Sequence, residues 1–354
     1  MANLLLSGYF GCGNIGDDAI MLGLVHGLGN TQHEITVLSG NPDETYRNYG
    51  LRAAPRKDMN RVKEEIDRCD ALVYPGGSIF QDVTSFASAA YYSQLVKIAK
   101  SKKKKVLLLG QGVGPLKGFL GKRAASSAFA MADVIAVRDP GSAATLKELG
   151  IKSQVRITAD MAFLLPRPPE NDNQQGFNVG NMKSVGISVR PHGKSKDIIH
   201  LFGEFTRILF QNNYMPVLIE MDRNDDGPLM LEIAKSQGGK IPDIRKLQTP
   251  MQLQQRLARM DSLIAMRLHA GVLASIAGIP PLMVSYDPKV AAFAKLLDIG
   301  TCPSVEGLTA QRLYDIFLEH QKDRKRNETI LERKREELVK MSMMNIELLE
   351  QAVR

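Results

Sequence analysis

Four basic side chains stand directly after predicted strands, where they could bind an anion together. Arg138 follows "VIAV" in the first half of the chain. In the second half, Arg267 and His269 follow "SLIAM", and Lys289 stands in "VSYDPKV" after another strand. Each lies near the predicted start of a helix, where unpaired backbone N–H groups and the helix dipole also favour negative charge. Each alone could be structural, but their shared position predicts an anion site.

A glycine pattern in "GYFGCGNIGDDA", residues 8–19, is typical of a dinucleotide-binding loop. Its glycines have G-x-G-x-x-G spacing between an apolar run and a helix-like stretch. However, Asp17 and Asp18 place carboxylates where a diphosphate would lie, and Ser39 stands where the ribose-binding acid is expected. The loop therefore argues against nicotinamide or flavin chemistry.

The same loop is suited to sugar hydroxyls, because amide and carboxylate groups hydrogen-bond them and glycines let the backbone approach closely. "YPGGSIFQDVTS" and "LGQGVGP" follow later strands and should lie at the same sheet edge. The candidate sugar-binding residues on these loops are Asn14, Gly16, Asp17, Asp18, Gly76, Gly77 and Gln111. A purely structural alternative is a tight turn with Asn14 in the left-handed conformation and Asp17 as the N-cap.

The elements that must position these residues alternate between strands and helices. Strands are predicted near 3–8, 34–38, 71–74, 105–110, 133–137, 154–157, 184–189, 215–220, 262–265 and 281–284. Helices are predicted near 17–28, 60–69, 86–100, 121–131, 140–149, 197–211, 228–237, 249–260, 269–277 and 288–297. This alternation predicts an α/β fold with two Rossmann-like, doubly wound domains.

Domain boundaries follow from the composition. The predicted parts are an N-terminal domain at 1–165, a Pro- and Asn-rich linker at 166–183, a C-terminal domain at 184–308 and a charged helical segment at 309–354. The leucines of the last segment could dock its helices by one apolar face.

Bulk properties exclude several classes of function. The chain has 354 residues and a net charge of +8, and it has neither an evident signal peptide nor a long apolar run. We expect a soluble, cytoplasmic protein with an anionic partner. The Cys residues are three and far apart, which predicts no disulfide framework and no metal site. Without Trp or aromatic–basic interleaving, a nucleic-acid partner is not expected.

Together the motifs resemble the polysaccharide pyruvyltransferase family, most closely its CsaB type from bacterial cell-wall assembly and S-layer anchoring. "GYFGCGNIGDDAI", "GGSIFQDVTS", "GQGVGP", "VRDPGSA", "ISVRP", "MRLHAGVLASIAGIP" and "YDPKV" carry this resemblance over residues 5–300. It implies two domains of the GT-B kind facing a cleft. It also implies transfer of an enolpyruvyl unit from phosphoenolpyruvate to a sugar, forming a cyclic ketal, with no cofactor.

Carried over by position, the resemblance makes Arg138, His269 and Lys289 the phosphoenolpyruvate-binding and catalytic residues, with Arg267 beside them. It places the opening loop on the acceptor side, the acceptor being a lipid-linked, N-acetylhexosamine-containing precursor. Pro75 departs from the pattern where a third glycine is expected, and it removes a backbone donor from that loop.

Two alternatives remain open at this point. A nucleotide-sugar glycosyltransferase would also use a basic site between two such domains. A basic protein at the membrane face is the other, since "SKKKKVLLLG" at 101–110 could meet the inner leaflet. Such a lysine run is more often a solvated helix end that matches the helix dipole, and peripheral membrane contact is also compatible with the enzyme.

Overall fold

A computed structural model of the chain describes residues 1–29, 31–82, 86–169, 181–239 and 241–354. Within these residues the chain forms two compact units. The first is Met1–Leu165 with Glu337–Arg354, and the second is Pro166–Glu336. The predicted linker at 166–183 falls partly outside the described residues.

The first unit contains a parallel sheet with helices between its strands. Its strands are Asn3–Ser7 (β1), Glu34–Ser39 (β2), Arg52–Pro55 (β3), Ala71–Tyr74 (β4), Gly77–Phe80 (β5), Lys105–Val113 (β6), Val134–Val137 (β7) and Val155–Ile157 (β8). Its helices are Ile15–Leu28 (α1), Pro42–Tyr49 (α2), Met59–Arg68 (α3), Phe86–Ser101 (α4), Phe119–Met131 (α5) and Pro140–Glu148 (α6), followed by a 3₁₀ turn, Met161–Leu164. The strand order is β3-β2-β1-β4-β6-β7-β8, with β5 paired to β6.

The second unit repeats this design with fewer strands. Its strands are Lys183–Ser188 (β9), Tyr214–Ile219 (β10), Asp243–Ile244 (β11), Ser262–Ala265 (β12) and Pro281–Met283 (β13), in the order β11-β10-β9-β12-β13. Its helices are Ser195–Gln211 (α7), Asp226–Ser236 (α8), Pro250–Leu257 (α9), Leu268–Ile276 (α10), Pro288–Leu297 (α11) and Ala310–Lys322 (α12), and Arg324–Val353 (α13) begins here and ends in the first unit.

Both strand orders reverse direction beside the first strand of the unit, between β1 and β4 and between β9 and β12. All strand pairs of the described residues are parallel, so each sheet has one carboxyl edge. Ligands of open α/β sheets bind at that edge, at the point of reversal. The predicted α/β fold with two Rossmann-like units is therefore confirmed, and a ligand is expected at the loops after these strands.

Continuous apolar strands explain why the sheets are covered on both faces. Leu4, Leu5 and Leu6 of β1 are buried, as are Ile264 and Ala265 of β12. Strands buried on both faces carry apolar residues without alternation, because helices pack on each side. The sequence predicted such strands well and missed β3, β5 and β11, which have four, four and two residues. Helix α2 was also missed, since its exposed, polar sequence has no apolar stripe.

The C-terminal segment 309–354 is helical, as predicted, and is divided between the units. Ser342 Oγ donates to the Asp160 carbonyl at 2.7 Å, and the Asn345 side chain donates to the Ala159 carbonyl at 3.2 Å. The Thr158 hydroxyl donates to Asn345 Oδ1 at 2.9 Å. The end of α13 therefore fixes residues 158–160, which follow β8.

Two observations concern the membrane alternative. Across the described ranges, no helix combines the length and apolar character that spanning a bilayer requires. In the lysine run, Lys102 pairs with the Asp67 carboxylate and Lys104 Nζ donates to the Asp67 carbonyl at 2.9 Å. These contacts agree with the structural interpretation of the run.

Candidate functional site

Asn14 organises the opening loop after β1. As the N-cap of α1, with φ −102°, its side-chain oxygen accepts from the N–H groups of Gly16 at 2.9 Å and Asp17 at 3.3 Å. The alternative with a left-handed Asn14 and Asp17 as the cap is therefore wrong. Capping by Asn14 satisfies two N–H groups that a helix start leaves open, and Gly16 contributes its N–H to the cap.

The two carboxylates of this loop have different environments. Asp18 is buried; one oxygen accepts from the Gly11 N–H at 2.9 Å and the other from the Tyr49 hydroxyl at 3.0 Å. Burial raises the pKa of Asp18 to about 6, against the lowering effect of these hydrogen bonds. Asp17 is half-buried, and its Oδ1 lies 3.3 Å from where a Cβ on Gly77 would stand. Of the two, Asp17 is the one placed to meet a ligand.

Gly77 and Gly76 follow β4 on the other side of the strand-order reversal. Both have positive φ, 89° and 148°, which favours glycine, and a Cβ on Gly76 would stand 2.9 Å from Ile20 Cγ2. The structure therefore brings this loop and the opening loop together, as predicted. Residues 83–85 of the same motif lie outside the described residues.

Gln111 is fully buried, and its side chain holds the loops together. Its Nε2 donates to the carbonyls of Tyr74 at 2.9 Å and Leu109 at 3.0 Å. In the described part of the chain its Oε1 has no hydrogen-bond partner. Gln111 therefore positions the end of β4. Because its side chain is buried, it supports the loops and would not contact a sugar directly.

Arg138, after β7, is nearly buried beside the same loops. Its Nη1 donates to Asp160 Oδ2 at 2.7 Å, and its Nη2 donates to Ser78 Oγ at 3.0 Å. The guanidinium lies against the backbone of Gly112, where a Cβ would stand 2.8 Å from Nη2. This packing fixes the plane of the guanidinium, which is what recognition of a planar or tetrahedral anion requires.

In the second unit, Arg267 is held by a buried acid. It is the N-cap residue of α10, and its Nε donates to both carboxylate oxygens of Asp226 at 3.0 and 3.2 Å, while Nη2 makes a further contact. Asp226 is fully buried and accepts from the N–H groups of Met221 and Asp222, each at 3.0 Å. Burial raises the pKa of Asp226, while Arg267 opposes the rise. The pair braces the start of α10.

His269 and Lys289 occupy equivalent positions on neighbouring elements. His269 is half-buried in the first turn of α10, after β12, and Lys289 is half-buried in the first turn of α11, after β13. Strands β12 and β13 are paired, with Ala265 opposite Met283. Asp287 caps α11 through the Lys289 N–H at 3.0 Å and lies 3.8 Å from Lys289 Nζ. Two basic side chains and two helix starts thus share one edge.

Sequence reasoning did not single out a third group at this edge. Arg190, after β9, donates from Nη1 to the Tyr286 hydroxyl at 2.6 Å and lies 4.6 Å from that ring's centroid. The His192 ring lies 5.4 Å from the same ring, centroid to centroid, in a tilted arrangement. The position of Arg190 in "ISVRP", at the end of a strand, was the signal that could have found it.

Within the described ranges, no group of three or more His, Cys, Asp or Glu side chains is arranged to hold a metal ion. Carboxylates at the two sheet edges instead pair with basic side chains, as Asp160 does with Arg138 and Asp226 does with Arg267.

Comparison with known proteins shows a family. Residues 14–288 match the family model described as polysaccharide pyruvyl transferase. The amylovoran biosynthesis protein AmsJ of Erwinia amylovora is 22% identical over 361 residues, covering 84% of this chain and 86% of AmsJ.

Solved structures share the fold at low sequence identity. HepE of Anabaena, determined with UDP-glucose, has a TM-score of 0.64 at 12% identity and covers 99% of this chain and 100% of HepE. UDP-GlcNAc 2-epimerase of Neisseria meningitidis has a TM-score of 0.62 at 12% identity, covering 99% and 100%. These likenesses show the fold alone, whereas the family match extends over both sheet edges and every predicted basic residue except one: it reaches from Asn14 to residue 288 and stops just before Lys289. The chain belongs to the polysaccharide pyruvyl transferase family.

Proposed function

We propose that this protein transfers an enolpyruvyl unit from phosphoenolpyruvate to two hydroxyls of a sugar, forming a cyclic pyruvate ketal and releasing phosphate. The observation that carries the proposal is the position of two basic residues: His269 and Lys289 each lie in the first turn of a helix, and these helices follow two adjacent strands. Phosphoenolpyruvate has a phosphate and a carboxylate, and helix starts with basic side chains bind such groups without a metal or cofactor.

In this proposal the basic residues have distinct roles. His269 and Lys289 bind donor anions directly, and Arg138, fixed by Asp160 and Ser78, is a further proposed donor-binding residue. Arg267 is engaged by Asp226, so it supports the donor site by positioning the first turn of α10.

The reaction transfers two protons, and overall it neither takes up nor releases a proton. C3 of the enol gains a proton, the first sugar hydroxyl attacks C2 and loses one, phosphate departs, and the second hydroxyl closes the ring at C2. Of the two hydroxyl protons, one balances the proton given to C3 and one leaves with phosphate. His269 is the proposed acid, because a protonated imidazole can donate a proton and a positioned acid contributes roughly 10²–10⁴-fold. Asp17 is the proposed base.

We place the acceptor among lipid-linked precursors that contain an N-acetylhexosamine, as in the CsaB type of cell-wall assembly and S-layer anchoring. The enzyme would act in the cytoplasm at the inner leaflet, where basic residues contribute about 1 kcal/mol each near an anionic surface. AmsJ, a protein of amylovoran biosynthesis, supports a role in building a surface polysaccharide.

The test is release of phosphate from phosphoenolpyruvate by the purified protein, with and without an N-acetylhexosamine disaccharide on a lipid diphosphate and with metals chelated. We expect acceptor-dependent release and a product heavier by one pyruvyl unit less water. His269→Ala should lower turnover more than tenfold, while His200→Ala, at an exposed histidine on α7, should not. Release of a nucleoside diphosphate from a nucleotide sugar would instead identify a glycosyltransferase.

A further inference from the structure

A cluster of three tyrosines and one arginine lies beside the opening loop, and the roles described above do not use it. Arg56 follows β3, and its Cζ lies 5.3 Å from the ring centroid of Tyr9, 5.2 Å from that of Tyr91 and 5.6 Å from that of Tyr92. Tyr92 is fully buried, whereas Tyr9 is 38% exposed. The other members of the cluster therefore support the Tyr9 ring, which is partly exposed to solvent.

Arg56 is bound to neutral partners, which keeps it beside the rings. Its Nη1 donates to Cys12 Sγ at 3.5 Å and its Nη2 to the Tyr92 hydroxyl at 2.8 Å. The Tyr91 hydroxyl donates to the Arg56 carbonyl at 2.6 Å. Burial raises the pKa of the Cys12 thiol, so this partner stays uncharged at neutral pH. A guanidinium held in this way stabilises an aromatic ring by cation–π attraction.

Asp17, the proposed base, belongs to the same neighbourhood. Its charge acts on both Cys12 and Tyr92, raising the pKa of each alongside the larger effect of burial. Tyr9 and Asp17 are also on the same loop, before and within the first turn of α1. The exposed ring and the carboxylate thus lie at one edge of the first sheet.

We infer that Tyr9 is a stacking platform for a pyranose ring of the acceptor and that Arg56 positions it. The face of a tyrosine ring is electron-rich, and the C–H groups on the less polar face of a pyranose are weakly positive, so the two attract. Stacking would present the hydroxyls at the rim of the sugar to the Asp17 carboxylate. This inference rests on the proposed function, to which it adds the residue that binds the acceptor.

Steady-state kinetics separate this role from donor binding. Tyr9→Ala should raise the acceptor KM at least tenfold and leave the KM for phosphoenolpyruvate within twofold of wild type. Tyr9→Phe keeps the ring and should retain wild-type values. Arg56→Met should raise the acceptor KM as Tyr9→Ala does. Tyr46→Ala is the matched control, because Tyr46 lies on α2 and is 66% exposed.

A second measurement does not depend on catalysis. Saturation-transfer NMR without phosphoenolpyruvate should detect methyl glycosides of galactose, glucose, N-acetylglucosamine or N-acetylmannosamine on the wild type and on Tyr9→Phe but not on Tyr9→Ala. If the wild type shows this transfer but no turnover, the stacking role of Tyr9 is supported and the proposed function is contradicted. An unchanged acceptor KM in Tyr9→Ala, or equal saturation transfer to both proteins, would overturn the platform and leave the proposed function intact.

Discussion

Gly112→Ala tests whether the position of the Arg138 guanidinium matters for donor binding. A Cβ at residue 112 would stand 2.8 Å from Arg138 Nη2, 2.8 Å from Ser78 Oγ and 3.0 Å from Arg138 Cζ. Unlike many glycines of this chain, Gly112 does not have the positive φ that other residues avoid. The substitution therefore adds one methyl group against the guanidinium without straining the backbone.

The size of the effect follows from the distances. Ordinary van der Waals contact begins at 3.4 Å, whereas the added Cβ would lie 2.8 Å from Arg138 Nη2, so the guanidinium must move away by roughly half an ångström or more. Misplacement of a binding group by about 1 Å can cost up to about 10²-fold in rate. We therefore expect kcat/KM for phosphoenolpyruvate to fall about 10- to 100-fold, with the acceptor KM unchanged.

Initial rates of phosphate release over a range of phosphoenolpyruvate concentrations provide the assay, with thermal unfolding as a check on folding. The double variant Gly112→Ala, Ser78→Ala removes the clash with the hydroxyl but keeps the clash with Arg138, so it should remain impaired. Recovery in the double variant would assign the defect to Ser78. A folded Gly112→Ala protein with wild-type kcat/KM would refute the argument that this packing positions Arg138.

Three further predictions concern buried charges. Burial lowers the pKa of His320 from 6.5 to about 4, so the unfolded chain binds more protons than the folded chain between these two pH values, and stability falls as the pH drops through this range. Urea unfolding should therefore show a loss of about 2 kcal/mol from pH 7.5 to pH 5, and the His320→Leu variant should lack this loss. The contribution of Asp18 to the pH dependence of stability has the opposite sign, because its raised pKa makes the folded state bind more protons than the unfolded state between pH 3.8 and about 6. The wild type should therefore lose stability as the pH rises through that range, and Asp18→Asn should not. Asp226→Asn should remove the buried carboxylate that accepts from Arg267, leaving Asp225 and Asp222 at 3.7 and 3.9 Å, and lower the free energy of unfolding by up to about 3–5 kcal/mol at pH 7, as measured in urea.

The sequence predicted those parts of the site that depend on local order. An apolar strand followed at once by a helix start is a short-range signal, and it placed Arg138, His269 and Lys289 correctly at the ends of β7, β12 and β13. Helix α11 was predicted with its observed bounds, because Asp287 and the following proline are strong start signals. Their proposed roles in binding phosphoenolpyruvate stay predictions.

What the sequence could not predict depends on residues that are distant along the chain. Arg267 and Asp226 are separated by 41 positions and Arg138 and Asp160 by 22, so their pairing is decided by the packing of separate elements. Arg56 meets Tyr91 and Tyr92 for the same reason. The N-cap at Asn14 was misplaced because Asp17, three positions later, is an equally good capping residue by type.

The contacts of Ser342 and Asn345 with residues 159–160 impose an order of events during synthesis. These partners are 182 and 186 positions apart, and the entire second unit is translated between them. At about 5–20 residues per second, the ribosome needs roughly 10 to 40 s to bridge that gap. Until then the carboxylate partner of Arg138 lacks its anchor, so a nascent chain should acquire donor affinity only after the end of α13 has emerged. A frameshift confined to the last helix would thus silence a site whose own residues are all correctly encoded.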